Sequence, residues 1–151
     1  MTVRPFTAAD FPAVCRIYRD ARLAELAFEP GNFTITPLEE DPTLRQAFDE
    51  SDVLVFDDGG VLGFAATWGG HLRALFVADG ARGNGVGAKL LDAVRTPGMS
   101  LHVAHSNAGA RRFYARHGFV VAGQTVRPYG GHEVTYDRMT LAAAAAEGSG
   151  Q

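Results

Sequence analysis

The sequence predicts an α+β domain, a mixed sheet of about seven strands flanked by about four helices. Short apolar runs rich in valine and phenylalanine, such as Val53-Leu54-Val55-Phe56, alternate with segments whose apolar residues recur at helical spacing. A glycine-rich joint with glycines at 80, 83, 85 and 87 separates a buried-strand pattern over residues 72–78 from a helix marked by Val86, Leu90, Leu91 and Val94. At 151 residues the chain suits one domain with a proper core and is too short for two.

Residues 2–6 open the chain as a short strand. Asp10 is the expected N-cap of the first helix, because Pro12 is tolerated in a first turn but not deeper. Phe11, Val14, Cys15, Tyr18 and Leu26 give that helix an apolar face to about Ala27. Residues 28–37 hold two prolines and Gly31 and are irregular, and a second helix is expected over 38–49. Strands 53–56 and 61–67 meet through Asp57-Asp58-Gly59-Gly60, where Asp-Gly is a hairpin signal. Trp68, Gly69 and Gly70 end the second of these, and the central strand begins at His71 or Leu72.

After the glycine loop and its helix, Thr96-Pro97-Gly98 breaks the chain and residues 100–104 form a strand. Ser106 or Asn107 caps the next helix, which carries Ala110, Phe113, Tyr114 and His117 on one face and ends at Gly118. Strands 119–126 and 134–141 pair across a loop holding Pro128, Tyr129, Gly130, Gly131 and His132. Residues 142–151 are low in complexity and expected to be disordered, which leaves 2–141 as the domain. No internal repeat is present.

Composition narrows the classes. Hydrophobic residues are 46% and charged ones 21%, the balance of a soluble globular protein. A net charge of −3 argues against a nucleic-acid partner. Cys15, the only cysteine, permits no internal disulfide and is expected to be packing on its helix. No apolar run approaches a membrane span and the N-terminus does not open a signal peptide, so no membrane partner is expected and the cytoplasm is the default location. His102 and His105 should point to different faces, with no cysteine pair beside them, so no metal is expected.

The glycine joint carries the chemistry. Helix N-termini present amides without carbonyl partners, the dipole adds partial positive charge there, and glycines let an anion approach without meeting a Cβ. Arg82 and Lys89 add two full charges, which suits a phosphate or pyrophosphate. A P-loop is excluded because Leu90, not Ser or Thr, follows Lys89. A dinucleotide fingerprint is formally met by Gly83, Gly85 and Ala88, but the ribose-binding acid is missing near Val103 to His105, which keeps it as the lesser alternative. Arg82, Gly85 and Gly87, directly after a strand ending Leu75-Phe76-Val77, match Arg-x-x-Gly-x-Gly. A second pattern follows: Asn107, Ala110, Phe113 and Tyr114, then Gly118-Phe119.

Together these two motifs resemble the GNAT superfamily of N-acetyltransferases, a likeness covering roughly residues 2–141. The resemblance implies a single GNAT-like domain whose fourth and fifth strands splay apart to admit the pantetheine arm of acetyl-CoA. It implies that the backbone of Phe76 and Val77 binds that arm, that the amides of Arg82, Gly83, Asn84, Gly85, Val86, Gly87 and Ala88 hold the phosphates, and that Asn107 binds the arm or caps its helix. Arg95, Arg111, Arg112 and Arg116 add to a local positive field; Arg112 counts as cofactor-binding, Arg95 and Arg116 as solvated helix faces.

The implied reaction is direct transfer of the acetyl group to a primary amine of a small molecule or protein. The resemblance assigns Tyr114 as the acid that protonates the departing thiolate. An amine protonated at neutral pH needs a base or a water relay. His71, at the start of the central strand, is the first candidate, with Glu133, Asp137 or water as alternatives. Glu25, Phe28, Glu29 and Phe33 are candidates to shape the acceptor pocket. A non-catalytic acyl-CoA-binding module of the same fold is the other functional class, and a homodimer through the final strands is admitted by analogy.

Overall fold

The computed structural model of the chain describes residues 2–31, 33–129 and 131–142. Seven strands, β1 (Thr2–Pro5), β2 (Asp52–Asp57), β3 (Val61–Trp68), β4 (His71–Val77), β5 (Ser100–Ala104), β6 (Phe119–Tyr129) and β7 (His132–Leu141), make one sheet in the order β1-β2-β3-β4-β5-β7-β6. Four helices accompany it: α1 (Phe11–Leu26), α2 (Pro42–Glu50), α3 (Val86–Val94) and α4 (Ala108–Arg116). Every strand pair is antiparallel except β4 with β5.

Three local expectations change for physical reasons. Asp10 stands at the N-cap position of α1 with Pro12 in the first turn, but its side chain bonds no helix amide: it also closes a 3-10 turn, and its carboxylate accepts from both terminal nitrogens of Arg4 at 2.8 and 2.9 Å and from the Thr7 amide at 2.8 Å. The second helix starts late, because residues Leu38–Glu40 form a 3-10 turn and Asp41 then caps α2, accepting from the Thr43 and Leu44 amides at 3.1 Å each. The final strands run on into what looked like a long loop, and Pro128 is accommodated because β6 is an edge strand. Of the expected tail, residues 143–151 lie outside the described residues.

The sheet is covered on both faces. Along β3 and β4 alternate side chains go to opposite sides: Phe64, Ala74 and Phe76 pack toward α1 and α2 with Val14, Tyr18 and Phe48, while Ala65, Leu75 and Val77 pack toward α3 with Val86, Leu90 and Leu91. Gly63 lets α3 lie close on β3, since a Cβ there would come within 3.1 Å of Leu90 and Val86 and 3.0 Å of the Phe76 carbonyl. Cys15 is buried in the first core, where loss of water and the nearby Glu39 charge push its thiol up to about 11, so it packs as an inert apolar group.

One strand pair is incomplete. β4 and β5 are in register only at His71↔Ser100 and Leu72↔Leu101, and beyond those two pairs they diverge. Just past that point β4 carries a bulge: Thr67 pairs with Leu72 but Ala66 pairs with Ala74, which leaves Arg73 as the extra residue. The Arg73 guanidinium is tied to α2, donating to the Ala47 carbonyl at 2.9 Å and pairing with Glu50 at 2.9 Å.

Leu90, fully buried between α3 and the sheet, tests this arrangement. Leu90→Ala should lower unfolding free energy by about 3 kcal/mol, the usual cost of a core cavity, read from the urea midpoint at unchanged m-value.

Candidate functional site

The divergence of β4 and β5 opens a cleft of about 710 Å³. Its walls are the last turns of α1 (Arg22, Glu25) with Phe28 just beyond it, β4 from Leu72 to Val77, the glycine loop, β5 (Leu101, His102, Val103) and α4 (Ala110, Phe113, Tyr114) with its N-cap Asn107. Backbone direction along β4 follows from the ladder. The Ala78 amide donates to the Leu62 carbonyl, so Phe76 opposite Phe64 spends its amide and carbonyl on β3, and the groups of Leu75 and Val77 face the gap. Phe76 therefore lines the cleft through its position, whereas the edge able to accept an extended ligand belongs to Leu75 and Val77.

The glycine loop closes one end. Gly83 and Gly85 take φ of +85° and +80°, and nothing lies within 4 Å of where a Cβ would stand, so glycine is needed there for backbone conformation and the space beside it is open. Gly85 precedes α3 with no side-chain cap, leaving first-turn amides for an anion; Val86, Gly87 and Ala88 line the cleft. Arg82 lines it too, its Nε donating to the Val77 carbonyl at 3.3 Å and its Nη1 pairing with Asp79 at 3.3 Å. Asn84 and Arg112 are exposed and outside the lining, and the Lys89 ammonium lies 5.8 Å over the Phe56 ring.

α4 brings Tyr114 into the cleft on the α3 side of the sheet, edge-on to Phe113 and Phe119. Asn107 caps the helix, its side chain accepting from the Ala110 amide at 3.2 Å, and also lines the cleft. Removal from water, with the Glu25 charge across the cleft, pushes the Tyr114 phenol well above its ordinary value, so it stays protonated at neutral pH. Arg95 does more than solvate a helix: it donates to the His117 carbonyl at 2.6 Å, at the C-terminal end of α4. Arg116 lines the cleft.

The histidines divide differently from the expectation. His71 sits where β4 and β5 are still paired, its Nδ1 2.8 Å from Ser100 Oγ, and it is not among the lining residues. His102 is. Leu101 and Val103 point into the α3 core, so His102 faces the α1 side, its ring centroid 5.2 Å from that of His71. Burial first, then the positive fields of Arg127, His71 and Arg138, lower its pKa, so the imidazole is neutral at pH 7. Strand alternation was the sequence signal for His102, but the open side of the gap had to be known to use it.

The other candidates are placed elsewhere. Glu133 is exposed, and Asp137 is buried on the α4 side. Burial opposes its charge, but hydrogen bonds from Gln124 at 2.9 Å and His105 at 3.0 Å, with Arg111 nearby, outweigh that and hold it below the usual carboxylate range. Glu29 accepts from Ser106 Oγ, and Phe33 stacks 4.7 Å from His132. No cluster of three or more metal-ligating side chains exists among the described residues, and no described helix is long and apolar enough to cross a membrane.

Comparison with known proteins agrees with this geometry. Residues 49–121 match the family model described as acetyltransferase (GNAT) domain. The peptidyl-lysine N-acetyltransferase YjaB of Salmonella typhimurium is 36% identical over 75 residues, 48% of this chain and 52% of that protein, so the chain spans about half the length of this curated relative. The solution structure of apo-form YjaB from Escherichia coli superposes with a TM-score of 0.74 at 22% identity, covering 93% of this chain and 96% of that one. The structure of yncA from Salmonella typhimurium with its cofactor acetyl-CoA gives a TM-score of 0.69 at 23% identity, over 100% and 97% of the two chains. At these identities the structural likeness speaks for the fold.

Gly85 gives the local test. Its left-handed backbone costs an L-residue about 1–2 kcal/mol, so Gly85→Ala should lose stability on that scale in urea denaturation although the added methyl meets no neighbour.

Proposed function

We propose that the chain, whose residues 49–121 match the acetyltransferase (GNAT) domain, is an acetyl-CoA-dependent N-acetyltransferase acting on a primary amine. One observation supports this most: the unpaired edge of β4, the uncapped amides of α3 and the Tyr114 phenol open into the same cleft. Those features fit a long ligand with an anionic middle and an extended, amide-bearing arm. Acetyl-CoA would supply there an acetyl group already activated as a thioester.

The chain's own groups then divide the work. Gly83 to Ala88 present backbone N–H groups to the diphosphate, and Arg82 exchanges its exposed partners, Asp79 and the Val77 carbonyl, for phosphate oxygens. Leu75 and Val77 offer the strand edge, and an amide there polarises the thioester carbonyl. His102, neutral and facing the gap from the α1 side, takes the proton that the amine must lose. His71, one ring away and bonded to Ser100, stands behind His102 as the next proton carrier toward the closed end of the sheet. Tyr114 approaches from the opposite face and gives its proton to the departing sulfur. The C–S bond breaks and the amide C–N bond forms; the first proton of the ammonium leaves through His102, and the second, lost from the attacking nitrogen as the amide forms, replaces the one that Tyr114 gave to sulfur. The YjaB relative is named for peptidyl-lysine, which makes a protein amine one acceptor class to test.

Thiol release from acetyl-CoA across an amine panel is the experiment. Tyr114→Phe should reduce kcat about tenfold or more with CoA affinity retained; unchanged turnover would remove the phenol from the mechanism. His102→Ala should lower the rate and flatten the acid limb. The base works only when neutral, so wild-type activity falls as pH drops through a His102 pKa below about 6.5 and is full above it. A variant profile parallel to wild type would clear His102. CoA binding with no thiol release from any amine would favour a binding module.

A further inference from the structure

Resting on that acetyltransferase reading, we infer that the acceptor is an amine that also carries a carboxylate, in the manner of an amino acid, with Arg22 holding the carboxylate and Glu25 facing the amino group. Arg22 and Glu25 stand one turn apart on α1, and both line the cleft on the face from which His102 looks into it. They are paired, Arg22 Nη1 donating to Glu25 Oε1 at 2.6 Å, with side chains only 19% and 13% exposed.

The pair leaves one donor over. A guanidinium carries five donors in a planar fork; here Nη1 holds Glu25, the Tyr136 hydroxyl is a further partner of the side chain, and the buried Nε has none. A buried donor left unpaired is costly, and the part of the Arg22 side chain that stays accessible is what a ligand in the cleft meets. The fork is also held in place. Its carbon lies 4.7 Å over the Tyr129 ring, and Tyr136, itself buried, lines the cleft beside it. Burial disfavours the Arg22 charge, but Glu25 and the surrounding phenols outweigh that and keep it cationic. A rigid, charged, partly unsatisfied fork matches a carboxylate bidentately.

Charge counting selects the class. Among the described residues four arginines line the cleft, at 22, 73, 82 and 116, against one acid, Glu25. Arg73 is committed to Glu50 and α2, while Arg82 and Arg116 belong to the glycine loop and α4. At the acceptor end this leaves one cation and one anion. A polyamine would meet no net negative charge there, because Arg22 already neutralises Glu25. An amino acid offers both poles, its carboxylate to Arg22 and its amino group to Glu25, with the transferring nitrogen then turned toward His102 and the gap.

The test uses the full chain with common L-amino acids, their amides, spermidine and an end-blocked lysine peptide, measured by calorimetry with saturating CoA and by thiol release with acetyl-CoA. At least one amino acid should bind, and its kcat/KM should exceed that of its amide by about tenfold or more, the scale of a charge-assisted contact. In Arg22→Lys, which keeps the charge but loses the fork, and in Arg22→Met, that ratio should fall toward one, with CoA binding reporting the fold. Turnover of amides, spermidine or the peptide equal to or above that of every amino acid overturns the inference and leaves the acetyltransferase standing. Selective amino-acid binding without thiol release sinks the acetyltransferase reading and leaves the Arg22 site. Absence of both overturns both.

Discussion

The structure depends on a strand pair that stops after two residues. Among the described residues β4 and β5 are the only parallel neighbours in the sheet, and their register ends at Leu72 and Leu101. The extra residue at Arg73 supplies the cause on β4, since a bulge adds local twist and turns the following backbone groups over. Leu72 points its polar backbone at β5; after the bulge, Leu75 and Val77 point theirs into an open gap. A bulge needs holding, and Arg73 is held by the Ala47 carbonyl, Ser51 and Glu50 at the C-terminal end of α2, where a cation meets the negative end of the helix dipole. α2 lies far from the chemistry in sequence, yet it anchors the residue that opens the cleft.

The same opening sets the electrostatics. A gap in a sheet covered on both faces is flanked by two apolar cores, so titratable groups that reach it are partly dehydrated. Dehydration moves acids and bases in opposite senses. Tyr114 is pushed up and keeps its proton; His102 is pushed down and stays neutral. One environment thus prepares a donor on the α4 side and an acceptor on the α1 side. At the other end, the uncapped amides of α3 and Arg82 supply positive charge.

Much of this was legible in the chain itself. The hairpin at Asp57 to Gly60, the glycine joint and the Asn107 cap are local devices whose residues state their own geometry, and each stands where expected. So does Tyr114, because its face is set by the helical spacing of Ala110, Phe113 and His117. What was not legible depends on partners distant in sequence. Asp10 stands at the cap position, but its carboxylate answers to Arg4 and Thr7. The bulge at Arg73 has no signature in Leu72-Arg73-Ala74, since its anchor is twenty residues and more away. Ser100 opposite His71 could not be read from either strand alone.

The base shows how one unseen irregularity propagates. From the sequence, the start of the central strand and its middle look equivalent, and His71 has the chemistry a base requires. The register makes them unequal. His71 lies in the paired part of β4, where the neighbouring strand fills the space beside it and Ser100 takes its Nδ1. His102 lies on the strand that moves away, one residue past the last pair, and on the face where Arg22 and Glu25 also line the cleft. Strand divergence thus leaves the histidine of β5 facing the cleft and the histidine of β4 behind it, with the Tyr114 phenol lining the cleft from the other side of the sheet.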